Sequence, residues 1–185
     1  MRNSILIVDD EVNVISSLKR ALIDEPYEIF TANSGIEGIE VLRNNRIKVI
    51  ISDERMPGMS GAEFFSKVKE IYPDTVRIML TGHASIESAM KAVNSGEIYR
   101  FFKKPWDDIE LKLSIHSAME KYNLEEENRK LLETIKLQSL NLRLIEEMYP
   151  NISKIERDED GCLVIPDMSK DELKSIVEQC EREFS

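Results

Sequence analysis

Five short apolar runs, each closed by a polar break and most of them followed by a stretch of helical period, constrain this 185-residue chain most. Ser4 to Val8 (SILIV) ends at Asp9-Asp10-Glu11, and Val14, Ile15, Leu18, Leu22 and Ile23 then recur at helical spacing. Tyr27 to Ala32 (YEIFTA) reads as a short strand. Ser34 caps the next helix, whose inner face carries Ile36, Ile39 and Leu42. The run Ile47 to Ile51 is apolar at nearly every position, which suits a strand covered on both faces, as in parallel sheets. Pro57, Gly58 and Gly61 break the chain after Asp53, and a helix runs through Phe64, Phe65 and Val68 to Ile71. Thr75 to Leu80, a short helix over 85–93 and Ile98 to Phe102 complete the alternation. Strand and helix in turn predict a doubly wound α/β domain with a five-stranded parallel sheet, for which residues 1–120 suffice.

After Trp106 no helix breaker occurs until Pro150, so one helix of about 43 residues, about 65 Å long at 1.5 Å per residue, is expected. Ile109, Leu113 and His116 are expected to pack on the sheet. Beyond Lys121 the pattern changes: Leu124, Asn128, Leu131, Ile135, Gln138, Leu142, Ile145 and Tyr149 alternate by four and three. That is a heptad seam over 121–149, with Asn128 in an a-type slot, where a lone Asn lowers stability but fixes register. A parallel homodimer is the expected partner arrangement, with a bundle on another protein or folding back as alternatives. The tail over 150–185 reads as a small module: a hairpin around Asp158-Glu159-Asp160-Gly161, then a helix opened by Ser169-Lys170-Asp171-Glu172. About 35 residues cannot hold a core of their own, so the tail is expected to dock on the long helix or on a second chain.

The charge balance narrows the partners. The chain carries a net charge of -10, with 15 Lys+Arg against 19 Asp+Glu up to Glu120 and 10 against 16 beyond it. Neither half has the basic footprint of a nucleic-acid or anionic-membrane binder. The apolar cluster Ile5 to Val8 is too short for a signal peptide, no apolar run reaches membrane length, and Cys162 and Cys180 lack zinc-like spacing, so a cytoplasmic protein with free thiols is expected.

Ligands of open parallel sheets bind outside the carboxyl ends of the strands. Asp9 and Asp10 follow the first strand, Asp53 the third, Thr81 the fourth and Lys104 the fifth. Two carboxylates about 5 Å apart repel by ~3 kcal/mol at an effective dielectric near 20, so such a cluster holds protons or binds a hard cation such as Mg²⁺. Read singly, each acid is a strand-end residue facing solvent. Together with the hydroxyl and the lysine they make a phosphoryl-transfer site with Asp53 as nucleophile.

The four motifs ILIVDDE, ISDERMPGMSG, MLTGHAS and YRFFKKPW, in this order and spacing, resemble the receiver domain of two-component response regulators over about residues 4–120. The resemblance implies a flavodoxin-like fold and phosphorylation of Asp53 by a sensor histidine kinase. It implies Mg²⁺ bound by Asp10, Asp53 and the backbone carbonyl of Arg55, with Asp9 acting mainly through water. Thr81 and Lys104 would contact the phosphoryl group, and Lys104-Pro105 would be cis. Lys103 is the competing lysine, but Lys104 directly precedes the proline. Phe101 falls at the family's switch aromatic, where Tyr is commoner, with plain core packing as the other reading. Arg55 and His83 fall at positions that tune phosphate lifetime, and His83 reads equally as an ordinary loop histidine. No enzymatic activity is expected beyond phosphorylation and dephosphorylation at Asp53. The wording resembles receivers that feed cyclic-di-nucleotide phosphodiesterases or transcriptional activators, yet the tail carries no such output signature. The expected output is dimerisation or protein–protein contact, with a constitutive coiled-coil scaffold or DNA binding through the tail as alternatives.

Overall fold

A computed structural model describes residues 3–82, 98–148, 156–157 and 163–164. Two compact units divide the chain, Met1–Lys130 and Leu131–Ser185. In the first, β1 (Asn3–Val8), β2 (Tyr27–Ala32), β3 (Val49–Asp53), β4 (Val76–Thr81) and β5 (Arg100–Lys103) form one sheet in the order β2-β1-β3-β4-β5. Every pairing is parallel. The expected doubly wound sheet is therefore the one observed. The helix read over 85–93 and the residue His83 lie outside the described residues.

Among the described residues three helices connect the strands: α1 (Val12–Ala21), α2 (Gly35–Asn44) and α3 (Gly61–Ile71). Ser34 caps α2 by accepting a hydrogen bond from the Glu37 N–H. At α3, Ser60 and Glu63 form a reciprocal capping box, each side chain accepting from the other's backbone N–H. The sheet separates two apolar layers. Ile5, Ile7, Val49, Ile51, Ile78 and Leu80 pack toward α1 and the long helix, while Leu6, Val8, Ile50 and Met79 pack with Leu42, Phe64 and Phe65 of α2 and α3. Alternation along β1 and β3 makes this two-sided burial, as the unbroken apolar runs require.

Two sequence expectations are corrected. Ile36 is exposed, and α2 instead approaches α3 through Gly38, where an added Cβ would lie 3.0 Å from the Phe64 ring. Ile109 and Leu113 are 71% and 64% exposed and His116 is likewise exposed; Leu111, Ile115, Ala118, Met119 and Tyr122 are buried in their place. The two sets lie two residues apart, about 200° around a helix of 3.6 residues per turn. Both are periodic, so only the sheet decides which face turns inward.

The long helix runs Asp108–Met148, and the Asp107 side chain accepts from the Glu110 N–H at its start. In the second unit the heptad residues Leu131, Ile135, Leu142 and Ile145 are exposed, and so are Leu132, Leu137, Leu140 and Leu144. The hairpin expected in the tail is present as two short antiparallel strands, β6 (Glu156–Arg157) and β7 (Leu163–Val164). The helix read from Ser169 onward lies outside the described residues. Among the described residues no helix is long and apolar enough to cross a membrane.

Candidate phosphoacceptor site

Sheet register builds the site. Val8 of β1 pairs with Ser52 of β3, so the next residues, Asp9 and Asp53, emerge side by side. Asp53 pairs with Leu80 and Thr81 with Lys103, which brings Thr81 and Lys104 to the same edge. Backbone bonds lock these ends: Glu54 N–H donates to the Leu80 carbonyl at 2.9 Å and Lys104 N–H to the Thr81 carbonyl at 2.8 Å. The Lys104–Pro105 peptide is cis.

Lys104 is the hub. Its Nζ lies 2.6 Å from Asp53 Oδ1, 2.9 Å from Asp9 Oδ2 and 3.9 Å from Glu11 Oε1. The other Asp53 oxygen, Oδ2, accepts the Arg55 N–H at 2.6 Å, and Asp9 Oδ1 accepts the Glu11 N–H at 2.9 Å. Asp9 and Asp53 are buried, whereas Asp10 and Arg55 are exposed. Burial holds the Asp9 carboxyl above the usual carboxylate range, against the opposing hydrogen bonds from Lys104 and the Glu11 backbone. Burial alone would lower the Lys104 ammonium, but its hydrogen bonds to Asp53 and Asp9 prevail and raise it. A fixed cation thus bridges two buried acids.

The wall beneath Asp53 is tight. A Cβ on Gly61 would stand 2.2 Å from the Asp53 carbonyl oxygen and 2.9 Å from Glu54 Cα, so glycine is dictated by close approach. Gly58 is in the left-handed region, at φ 79°, with open space around it.

Thr81 is fully buried and its hydroxyl bonds to Glu54 Oε2 at 2.8 Å and to the Gly82 carbonyl at 3.1 Å. Sequence reasoning missed Glu54. Its only signal was adjacency to Asp53, and nothing in one dimension places its side chain on Thr81. Phe101 is half-buried and packs with the Met79 layer. Lys103 pairs across from Thr81 as a strand residue and is exposed, so Lys104 is the lysine at the acids.

The donor set suits a hard divalent cation. Among the described residues no three His, Cys, Asp or Glu side chains close into a cage. Mg²⁺ needs none, because it is bound by one or two carboxylates with waters and phosphate oxygens completing its shell.

The description "Response regulator receiver domain" matches residues 5–116. The chain is 34% identical over 128 residues to the hydrogenase transcriptional regulatory protein HoxA of Cupriavidus necator, covering 69% of this chain and 26% of that protein. It is 34% identical over 143 residues to the transcriptional regulatory protein GlrR of Escherichia coli, covering 77% and 32% respectively. A solved structure described as adenylate cyclase from Rhodopirellula baltica superposes with a TM-score of 0.69 at 36% identity, covering 72% of this chain and 98% of that one. The chain thus spans about a quarter to a third of the curated relatives it matches.

Proposed function

This chain belongs to the response regulator receiver family, and from that premise we propose that it takes a phosphoryl group on Asp53 from a sensor histidine kinase in a Mg²⁺-dependent reaction. The observation that carries the proposal is the buried Asp53 carboxylate held between the Lys104 ammonium and the Arg55 N–H at the carboxyl edge of the sheet. These two contacts fix the nucleophile's orientation, which is most of what phosphoryl transfer asks of a protein. Asp10, Asp53 and the Arg55 carbonyl would hold Mg²⁺, with Asp9 behind them, and the ion would neutralise charge on the phosphoryl oxygens. Lys104 then exchanges its bond to the Asp53 carboxylate for one to the phosphoryl group, and Thr81 donates its hydroxyl to another phosphoryl oxygen. Phe101 follows Thr81 as the switch aromatic, while Arg55 and His83 set how fast water reaches the acyl phosphate.

The output we assign is protein–protein contact: a cytoplasmic homodimer through 121–149, with the module over 150–185 offering a site to a downstream protein. The exposed heptad residues support this reading. A DNA-directed output is the second reading, favoured by relatives that are transcriptional regulators. The acidic balance beyond Lys121 weighs against direct contact of this segment with a duplex.

The test is incubation of the full chain with a small acyl phosphate donor and Mg²⁺, read by intact mass. One phosphoryl group is expected, absent in Asp53→Asn and after chelation of the metal. A modified Asp53→Asn chain, or an unmodified wild type, overturns the assignment.

A further inference from the structure

Thr81 has one hydroxyl proton, and in this structure that proton serves Glu54. The Oγ1–Oε2 distance of 2.8 Å is a short charged-acceptor bond, and the alternative acceptor, the Gly82 carbonyl, is farther at 3.1 Å. Neither acceptor returns a proton, since an ionised carboxylate and a carbonyl only accept. A phosphoryl group on Asp53 also only accepts. Thr81 therefore cannot serve Glu54 and a phosphoryl oxygen with the same hydrogen, and the two states exclude each other.

The backbone holds Glu54 to this task. Its N–H is tied to Leu80, the neighbour of Thr81, and its carbonyl accepts the Gly61 N–H at 2.8 Å. With main chain fixed at both polar groups, the half-buried Glu54 side chain reaches Thr81 at the end of β4. We propose that Glu54 is a positioning residue: its carboxylate holds the Thr81 hydroxyl in the resting state and sets the threshold for the switch to the phosphorylated one. The proposal rests on Asp53 being the phosphoacceptor. Its energetic logic is population shift: a contact present only in the resting state biases the equilibrium against the active state by the strength of that contact. Removing the acceptor leaves Thr81 the Gly82 carbonyl, so no buried donor is orphaned and the resting state loses its advantage.

The experiment titrates beryllium fluoride, as a phosphoryl mimic, into the full chain with Mg²⁺. The fluorescence of Trp106, the single tryptophan, two residues from Lys104, is the readout. Glu54→Leu should bind the mimic about tenfold more tightly than wild type, which corresponds to about 1.4 kcal/mol. Glu54→Gln keeps an uncharged acceptor and should fall between the two, and it stands in for Glu54→Leu if that variant melts early. In a Thr81→Val background the Glu54 substitutions should change nothing, because the hydroxyl they act through is gone. Unchanged affinity in Glu54→Leu and Glu54→Gln overturns the proposal. So does a gain that persists with Thr81→Val, which would mean that the Glu54 charge repels the mimic directly. A wild type that fails to bind at all overturns the Asp53 assignment and the proposal together, a result distinct from a wild type that binds and is indifferent to Glu54.

Discussion

The two glycines after Asp53 look alike in the sequence and do different work. Gly61 is needed because the Asp53 carbonyl occupies the place of a Cβ, 2.2 Å away, whereas Gly58 is needed only for its positive φ. Gly61→Ala must displace the backbone under Asp53. We expect a loss of about 2–3 kcal/mol in stability, by the overpacking mechanism, and a clear drop in the rate of phosphorylation. Gly58→Ala should cost about 1–2 kcal/mol for the left-handed backbone and leave that rate near wild type. Urea melts and a phosphorylation time course on both variants separate the effects. Equal losses of rate would show that the turn, rather than the close approach, governs Asp53. Asp9, Asp53, Thr81 and Lys104 were legible as strand-end residues because parallel register makes strand ends level. Glu54 was not, because its role depends on a side-chain direction that spacing does not encode.

At the scale of the element, the long helix up to Lys130 is fastened by polar contacts to the segments that precede β3 and β4. Lys48, buried just before β3, donates to Asn123 Oδ1 at 2.7 Å and to Asn3 Oδ1 at 3.1 Å, and its ammonium stands 5.7 Å from the Tyr122 ring centroid. Arg46 reaches the Tyr122 hydroxyl and Glu126, Lys130 also pairs with Glu126, and Arg129 pairs with Asp74. Residues 122, 123, 126, 129 and 130 fall on one helical face, so the fastening follows from period as much as from charge. The hydrogen bond from Lys130, with Arg46 and Lys48 nearby, holds the Glu126 carboxyl below the usual range. A depressed carboxyl pKa contributes stability above the unfolded value near 4.3 and loses it as pH falls through the lower folded value. Because Arg46 and Lys130 are half-exposed or more, screening limits this to about 0.5–1 kcal/mol. Glu126→Gln should therefore lower the melting temperature by a few degrees at pH 7, with the deficit closing below about pH 4. A deficit independent of pH would assign the loss to packing instead of charge.

At the scale of the molecule, the distal helix exposes more apolar surface than one seam explains. Leu131, Ile135, Leu142 and Ile145 follow the heptad, while Leu137 and Leu144 each lie two residues after a seam position, about 200° around the helix. A two-stranded coil covers only the first set. Light scattering with Mg²⁺, with and without beryllium fluoride, tests the homodimer: a dimer in at least one condition is expected, and Ile135→Asp with Leu142→Asp should return it to monomer. A monomer in both conditions would remove the homodimer and direct attention to a helix on another protein. A dimer in both would leave phosphorylation to alter geometry alone.

Among the described residues the parallel sheet follows from pattern alone, because continuous apolar runs separated by helical repeats admit few other two-sided arrangements. The same pattern brings Asp9, Asp53, Thr81 and Lys104 to one edge, since strand ends in such a sheet converge whatever their loops do. Tertiary structure decided which side of each helix is inside, exposing Ile36, Ile109 and Leu113, because several faces were apolar and only contact with the sheet distinguishes them. It also decided that Lys104 sits between Asp9 and Asp53 and that Glu54 holds Thr81. Those contacts arise where side chains from separate strands meet at a few ångströms, a relation that register creates and that a linear pattern carries only as adjacency.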